Sequence, residues 1–319
     1  MRRRRLLGYG AGVLAGAGAA AAAGWAGLAD RPGPPADAPA ELRIATGPPG
    51  AVYREIGAGL AAVLAERFPR TRVWAVPTGA SVDNLNLLAS GGTELAFASL
   101  DATVAGLRSG TPHDVTAVAR LYDSWFQALV PYGSPVRGLT DLTGRPVAAG
   151  ASGSGTRFTT DRLVAVAGIA PRLVTATQDA GADALAAGTV DALLTLTGVP
   201  TPAVTRLART TRVRLLRLDT YADAMVDRFG DLYAKATLPS SAYPGIAAAV
   251  TFTTPNVLLA HPDLPDDVVE TVAAALFAER ARIALGHPEA NRINVRTGIA
   301  TGPIRLHPGA VRYFRSVKS

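Results

Sequence analysis

Two glycine-rich turns carry the residue types and spacing best suited to holding a ligand in this chain. The first is Ile44-Ala-Thr-Gly-Pro-Pro-Gly-Ala-Val-Tyr53 and the second is Val147-Ala-Ala-Gly-Ala-Ser-Gly-Ser-Gly-Thr156. Each begins as a short apolar run, breaks into small residues and enters an amphipathic stretch, the pattern of a strand feeding a helix through a tight turn. A helix start leaves backbone N–H groups without intrahelical acceptors, and the positive end of the helix dipole lies behind them. Such a turn suits a carboxylate or a phosphate. Two of them about a hundred residues apart suggest one anionic ligand gripped from two sides.

The side chains around these turns extend that reading. Thr46 brings a hydroxyl, Gly47 lets the backbone approach closely, and Tyr53 supplies a wall or a phenolic donor. Pro48 and Pro49 remove two N–H donors and stiffen the loop. Ser152, Ser154, Gly155 and Thr156 combine hydroxyls with backbone freedom at the second helix start. A third cluster, Thr78 to Asn84, places Ser81 as an N-cap. Asn84 then falls on the same helical face, where its amide can read an amine or a hydroxyl. Asp101, Thr197 and Pro200 follow strand ends and can reach the same region, and Tyr243 before Pro244 reads as a lid or wall residue. Each of these also has a purely structural reading: a βα connection, a helix cap or a core contact.

Catalysis and metal binding find little support. The second turn puts Gly150, Ser152 and Ser154 where a nucleophile elbow needs Gly, Ser and Gly. It matches neither the dinucleotide nor the P-loop pattern. The four histidines, His113, His261, His287 and His307, have no metal-ligand spacing. The absence of cysteine excludes disulfides and thiolate chemistry. No catalytic residue, metal or cofactor is expected. The net charge of +7 includes Arg2 to Arg5, so the globular part carries only a small positive excess and is no electrostatic case for nucleic acid.

The elements that must position these residues alternate between strand and helix. From Glu41 the order is βαβαβ, with helices over 52–67, 82–89 and 102–108 and strands over 42–45, 72–77, 94–99, 115–122 and 125–130. A second such series starts at Gly138, with helices over 157–167, 180–187, 202–209 and 220–229. Extended chain over 247–261 and a long helix over 265–285 follow, and 230–242 shows no clear pattern. This is an α/β chain with two mostly parallel sheets covered by helices. Facing sheets of this kind bind ligands at their strand ends. Before them, residues 1–29 join a basic start to an apolar run, as a signal peptide or an N-terminal membrane anchor does. Residues 30–40 form a Pro-rich linker.

With these motifs in place, the chain resembles the TAXI-type solute-binding subunits of tripartite ATP-independent periplasmic (TRAP) transporters. The resemblance rests on the opening turn, on Thr78-Gly-Ala-Ser-Val-Asp-Asn84, on Leu95-Ala-Phe-Ala-Ser-Leu-Asp101 and on Gly150-Ala-Ser-Gly-Ser-Gly-Thr156. Gly188-Thr-Val-Asp-Ala-Leu-Leu194, running into Gly198-Val-Pro-Thr-Pro202, and Tyr243-Pro-Gly245 complete it. It departs from the family pattern at Pro48-Pro49, which replace Gly-Gly, near Ser124, where a Glu is usual, and at Ser99, where a longer polar side chain is usual. All three departures fall at the expected cleft.

The resemblance implies a two-lobed, periplasmic-binding-protein-like (type II) fold joined by crossing hinge strands. Lobe 1 would be 41–128 plus 249–319, and lobe 2 would be 129–248. It further implies an exported, extracytoplasmic, monomeric receptor that is not an enzyme. Such a receptor captures a small organic anion or amino acid, such as a dicarboxylate, and delivers it to TRAP membrane permease subunits. The alternatives are a membrane-tethered sensor or orphan binding protein and, less favoured, an exported serine hydrolase using Ser152 or Ser154.

Overall fold

Apolar residues at helical spacing turn the stretch after the first Gly/Pro loop into α1 (Val52–Arg67), which buries Val52, Ile56, Leu60, Val63 and Leu64 on one face. The computed structural model describes residues 35, 37–109 and 115–318. The expected signal or anchor segment and most of the linker lie outside the described residues. No helix among the described residues is long and apolar enough to cross a membrane.

The strands form one sheet in the order β2 (Arg72–Val76), β1 (Glu41–Ala45), β3 (Leu95–Ser99), β10 (Ala249–Ala260), β4 (Thr116–Pro131), β7 (Ala192–Thr197), β5 (Pro146–Ala148), β6 (Arg172–Val174). β8 (Val213–Leu215) pairs with β4, and β9 (Ala234–Leu238) with β10. The outer trios pair in parallel, β2–β1–β3 at one end and β7–β5–β6 at the other. The two long central strands run antiparallel to each other and to their outer neighbours.

Two apolar cores follow from this layout. One gathers Leu42, Ile44, Phe97, Val118 and Leu258 with Val272, and the other gathers Phe126, Val147, Leu194 and Phe252. β4 and β10 supply both, so these two strands join the halves.

The separate strands expected at 115–122 and 125–130 are one strand. Polar Asp123-Ser124 reads as a break in sequence, but β10 pairs alongside and the Ser124 hydroxyl meets Asn256 of that strand, while Asp123 pairs locally with Arg120 of β4 at 2.6 Å. A bulge between Pro255 and Val257 lies opposite them.

The covering helices are α2 (Ser81–Ala89), α3 (Leu100–Arg108), α4 (Gly155–Ala167), α5 (Gln178–Ala186), α6 (Pro202–Thr210), α7 (Asp219–Phe229) and α8 (Asp266–Ala278). The single helix expected over 265–285 divides at Glu279 into α8 and the short α9 (Arg280–Ile283). The Glu279 carboxylate reaches back to Arg67 on α1 at 2.6 Å. α10 (Val295–Gly298) and α11 (Pro308–Ser316) end the chain. The patternless 230–242 holds the edge strand β9, which buries only Leu238 and so shows no alternation.

The segment after α9 clamps the loop that follows β7. Glu289 accepts the Val199 N–H at 3.0 Å, and the His287 Nε2 lies 3.0 Å from the Pro200 carbonyl, after a cis Val199–Pro200 peptide. His287 Nδ1 accepts the Glu289 N–H at 3.2 Å, so Nε2 carries the proton and donates it to Pro200. Burial lowers the pKa of His287, and of the equally buried His307, from 6.5. Below 6.5 the unfolded chain therefore takes up protons that the folded chain refuses, and stability falls as pH falls through that window. Thermal melts should show a midpoint several degrees lower at pH 5 than at pH 7, and His287→Gln should flatten the drop. A midpoint insensitive to pH would contradict the neutral, Nε2-protonated ring.

Candidate functional site

The strand-to-helix turns of both halves converge on a cavity of about 50 Å³. Its wall contains the starts of α1 (Ala51, Val52, Tyr53), α2 (Ala80, Ser81), α3 (Ser99, the residue before its first turn), α4 (Ser154, Gly155, Thr156) and α5 (Thr177, Gln178). The positive ends of these helix dipoles thus meet at one point. Among the described residues, the N–H groups of Val52, Tyr53, Gly155 and Thr156 have no protein acceptor. No Arg, Lys, Asp or Glu among the described residues lines the cavity.

The hydroxyls are arranged in a chain. Tyr53 Oη donates to Asn256 Oδ1 at 2.5 Å, and Asn256 Nδ2 donates to Ser124 Oγ at 2.9 Å. Ser81 Oγ accepts the Ser99 N–H at 3.1 Å. Ser81 is the first helical residue and not the expected cap. The cap position falls to Ala80, held at φ 86°, ψ −146°, a conformation that normally belongs to glycine. Strain of this kind gathers where a site fixes its backbone. Burial raises the Tyr53 pKa, so the phenol stays a neutral donor. The Ser99 hydroxyl is buried and has no partner, and the Gln178 amide oxygen is likewise buried and unpaired. Both residues line the cavity, one from each half.

The halves are closed on each other here. Gly153 O accepts the N–H groups of Val82 (2.9 Å) and Asp83 (3.2 Å). A methyl group on Gly155 would lie 2.7 Å from Ser81 Oγ and 3.2 Å from Ser99 Oγ.

Of the residues singled out in sequence, Tyr53, Ser81, Ser99, Ser154, Gly155, Thr156 and Thr197 line the cavity, together with Pro48, Ser124 and Gly150, and Thr46, Gly47, Thr78, Asn84, Asp101, Ser152, Pro200 and Tyr243 do not. Thr46 donates to Val76 O at 2.7 Å and ties β1 to β2. Gly47 backs the first loop against Ala51 and Tyr53. Asn84 is fully buried beneath the cavity floor: its amide donates to Thr46 O (2.6 Å) and Phe97 O (2.7 Å) and accepts from the Thr78 hydroxyl (2.5 Å), which leaves neither residue free for a ligand.

Asp101 is also fully buried, and accepts from Thr159 (2.7 Å), Tyr233 (2.6 Å) and the Ala102 N–H (2.8 Å), a bridge between the halves. Ser152 presents its carbonyl to Gly79 at the closure contact. Pro200 belongs to the His287 clamp. Tyr243 is no lid: its hydroxyl donates to Gln127 (2.7 Å) and accepts from the Thr201 N–H (3.0 Å), and burial pushes its pKa up to about 12.

Sequence reasoning missed Thr177, Gln178 and Asn256. Thr177 had a readable signal, as a Thr capping the helix that follows a strand, and it does accept the Ala180 N–H at 3.3 Å. No cluster of metal-ligating side chains occurs among the described residues.

The architecture has known counterparts. The chain is similar to the alkanesulfonate-binding protein SsuA from Xanthomonas axonopodis pv. citri, solved bound to MOPS. It is 20% identical to that protein with a TM-score of 0.50, covering 88% of this chain and 92% of that one. It is also similar to XAC2383 from Xanthomonas citri, solved bound to ATP. There the identity is 12% and the TM-score 0.51, with 88% and 96% covered. At such identities these likenesses speak for the fold, which is the two-lobed, periplasmic-binding-protein-like arrangement expected from the sequence. A match to the NMT1-like family spans residues 44–317, taking in the turns that build the cavity from both sides. The chain belongs to the NMT1-like family.

Proposed function

We propose that this chain is an extracytoplasmic receptor that captures a small carboxylate-bearing solute between its lobes and delivers it to a TRAP-type secondary transporter. The observation that carries the reading is the meeting of the N-termini of α1 to α5 at a cavity with no charged side chain in its wall. Backbone N–H groups and hydroxyls are then the natural anion ligands, each charge-assisted bond contributing about 1.5–3 kcal/mol. The lobes would be 41–128 plus 249–319 and 129–248, with β4 and β10 as the hinge. Solute bridging both lobes favours the closed form, and a membrane partner reads closure. The motif blocks from the opening turn to Tyr243-Pro-Gly245 support TRAP delivery, and the basic, apolar N-terminus supports export.

Calorimetry against a panel of carboxylates should give a 1:1 complex with the solute released unchanged. Conversion of the solute, or no binding by any carboxylate, would overturn the reading. Ser99→Ala should weaken binding about tenfold, since it removes a hydroxyl with no other partner. It should leave the melting temperature unchanged or slightly higher, because the same change removes an unsatisfied buried group. For delivery, vesicles carrying a TRAP permease should take up solute only with this protein and an ion gradient. Uptake driven by ATP would point to a different transporter class.

A further inference from the structure

The carboxylates of Asp101, Asp83, Asp179 and Glu289 stand outside the cavity wall, each with other partners. Asp101 accepts its three bonds from Thr159, Tyr233 and the Ala102 N–H. Asp83 accepts the Gly79 N–H at 3.1 Å and faces an outer groove with Asn86 and Ser90. Asp179 is paired with Arg206 at 2.6 Å. Glu289 takes the Val199 N–H and Arg292, the latter at 3.1 Å. An ammonium group entering the cavity would find no carboxylate in its wall to pair with and would face the N-termini of α1 to α5. Burying an unpaired cation is strongly unfavourable. The free groups in the wall are neutral: the Ser99 hydroxyl, 1% exposed, on one side, and the Gln178 amide oxygen on the other. The amide oxygen accepts, and with an ammonium disfavoured by the positive helix ends, a hydroxyl is the donor that suits it.

We infer that the cavity selects a small hydroxy monocarboxylate, with its carboxylate at the helix N-termini, its hydroxyl on Gln178 Oε1, and no amino group. This rests on the anion-receptor reading above and narrows it against amino acids.

The test is calorimetry at pH 7 with matched sets of equal size: lactate, alanine and propionate, then the corresponding 2-hydroxy, 2-amino and unsubstituted acids with longer side chains. Within a set, the hydroxy acid should bind about tenfold more tightly than the unsubstituted acid and at least a hundredfold more tightly than the amino acid. In Gln178→Leu the advantage of the hydroxy acid over the unsubstituted acid should collapse to within twofold. Amino acids binding as tightly as their hydroxy counterparts would overturn this inference and leave the anion receptor standing. A hydroxy-acid advantage that survives Gln178→Leu would overturn the placement of the hydroxyl. Silence from every member of every set would overturn this inference, and would overturn the receptor reading as well only if the dicarboxylates of the wider panel were also silent.

Discussion

Gly155→Val should weaken solute binding at least a hundredfold while leaving the fold intact. Gly155 is the first residue of α4, without a positive φ, so a side chain strains nothing locally. What forbids it is the opposite half: even a Cβ would come within 2.7 Å of Ser81 Oγ and 3.2 Å of Ser99 Oγ. That contact exists only when the halves meet, so the substitution raises the energy of the closed form alone. Apparent affinity scales with the fraction of protein able to close, and a hundredfold loss corresponds to about 2.7 kcal/mol placed on closure.

Small-angle scattering should show Gly155→Val remaining extended at solute concentrations that compact the wild type. Gly155→Ala should lie between the two. Gly133→Val, at a glycine with open space around it, serves as the control and should bind normally. Full affinity together with compaction in Gly155→Val would show that the lobes meet differently in solution.

Much of this arrangement was legible because local chemistry and tertiary role agree. The run from Val52 to Arg67 is apolar at helical spacing and is a helix. Ser154 stands at a helix start, and its hydroxyl accepts the Arg157 N–H at 3.1 Å. Both glycine-rich turns reach the cavity because a strand-to-helix turn carries its own geometry. The illegible parts depend on distant partners. Asn256 closes the hydroxyl chain from a position 203 residues from Tyr53, on a strand whose sequence reads simply as extended. β4 stays continuous through Asp123-Ser124 with β10 paired beside it on both sides of that step. Ser81 and Asn84 show the limit most clearly. Their spacing places both on one helical face, but spacing does not say whether that face looks into the cavity or into the protein beneath it. Ser81 reaches the cavity wall, and Asn84, one turn on, is below the floor.

That depth makes Asn84→Asp the substitution with the largest expected effect on stability. The Asn84 amide donates to Thr46 O at the end of β1 and to Phe97 O in β3, and so fixes two strand ends that carry cavity residues. The introduced carboxyl has at most one O–H to offer two carbonyl oxygens. If ionised, it offers none and is a buried charge without a partner. Leaving buried acceptors unsatisfied costs about 1–3 kcal/mol each, so a loss of about 4 kcal/mol is expected. For a protein of this size that lowers the melting temperature by roughly 10 °C.

The pH dependence gives the mechanism a signature. Burial raises the folded-state pKa of the introduced carboxyl above its unfolded value, so the deficit should be smallest in acid and should grow as pH rises through the carboxylate range. Asn84→Ala removes the same donors without adding a titrating group, and its deficit should not follow pH in this way. If Asn84 instead touched solute, both substitutions would weaken binding with the melting temperature nearly unchanged. Calorimetry and thermal melts on the same pair of proteins therefore decide whether this residue holds the site's floor or reads its guest.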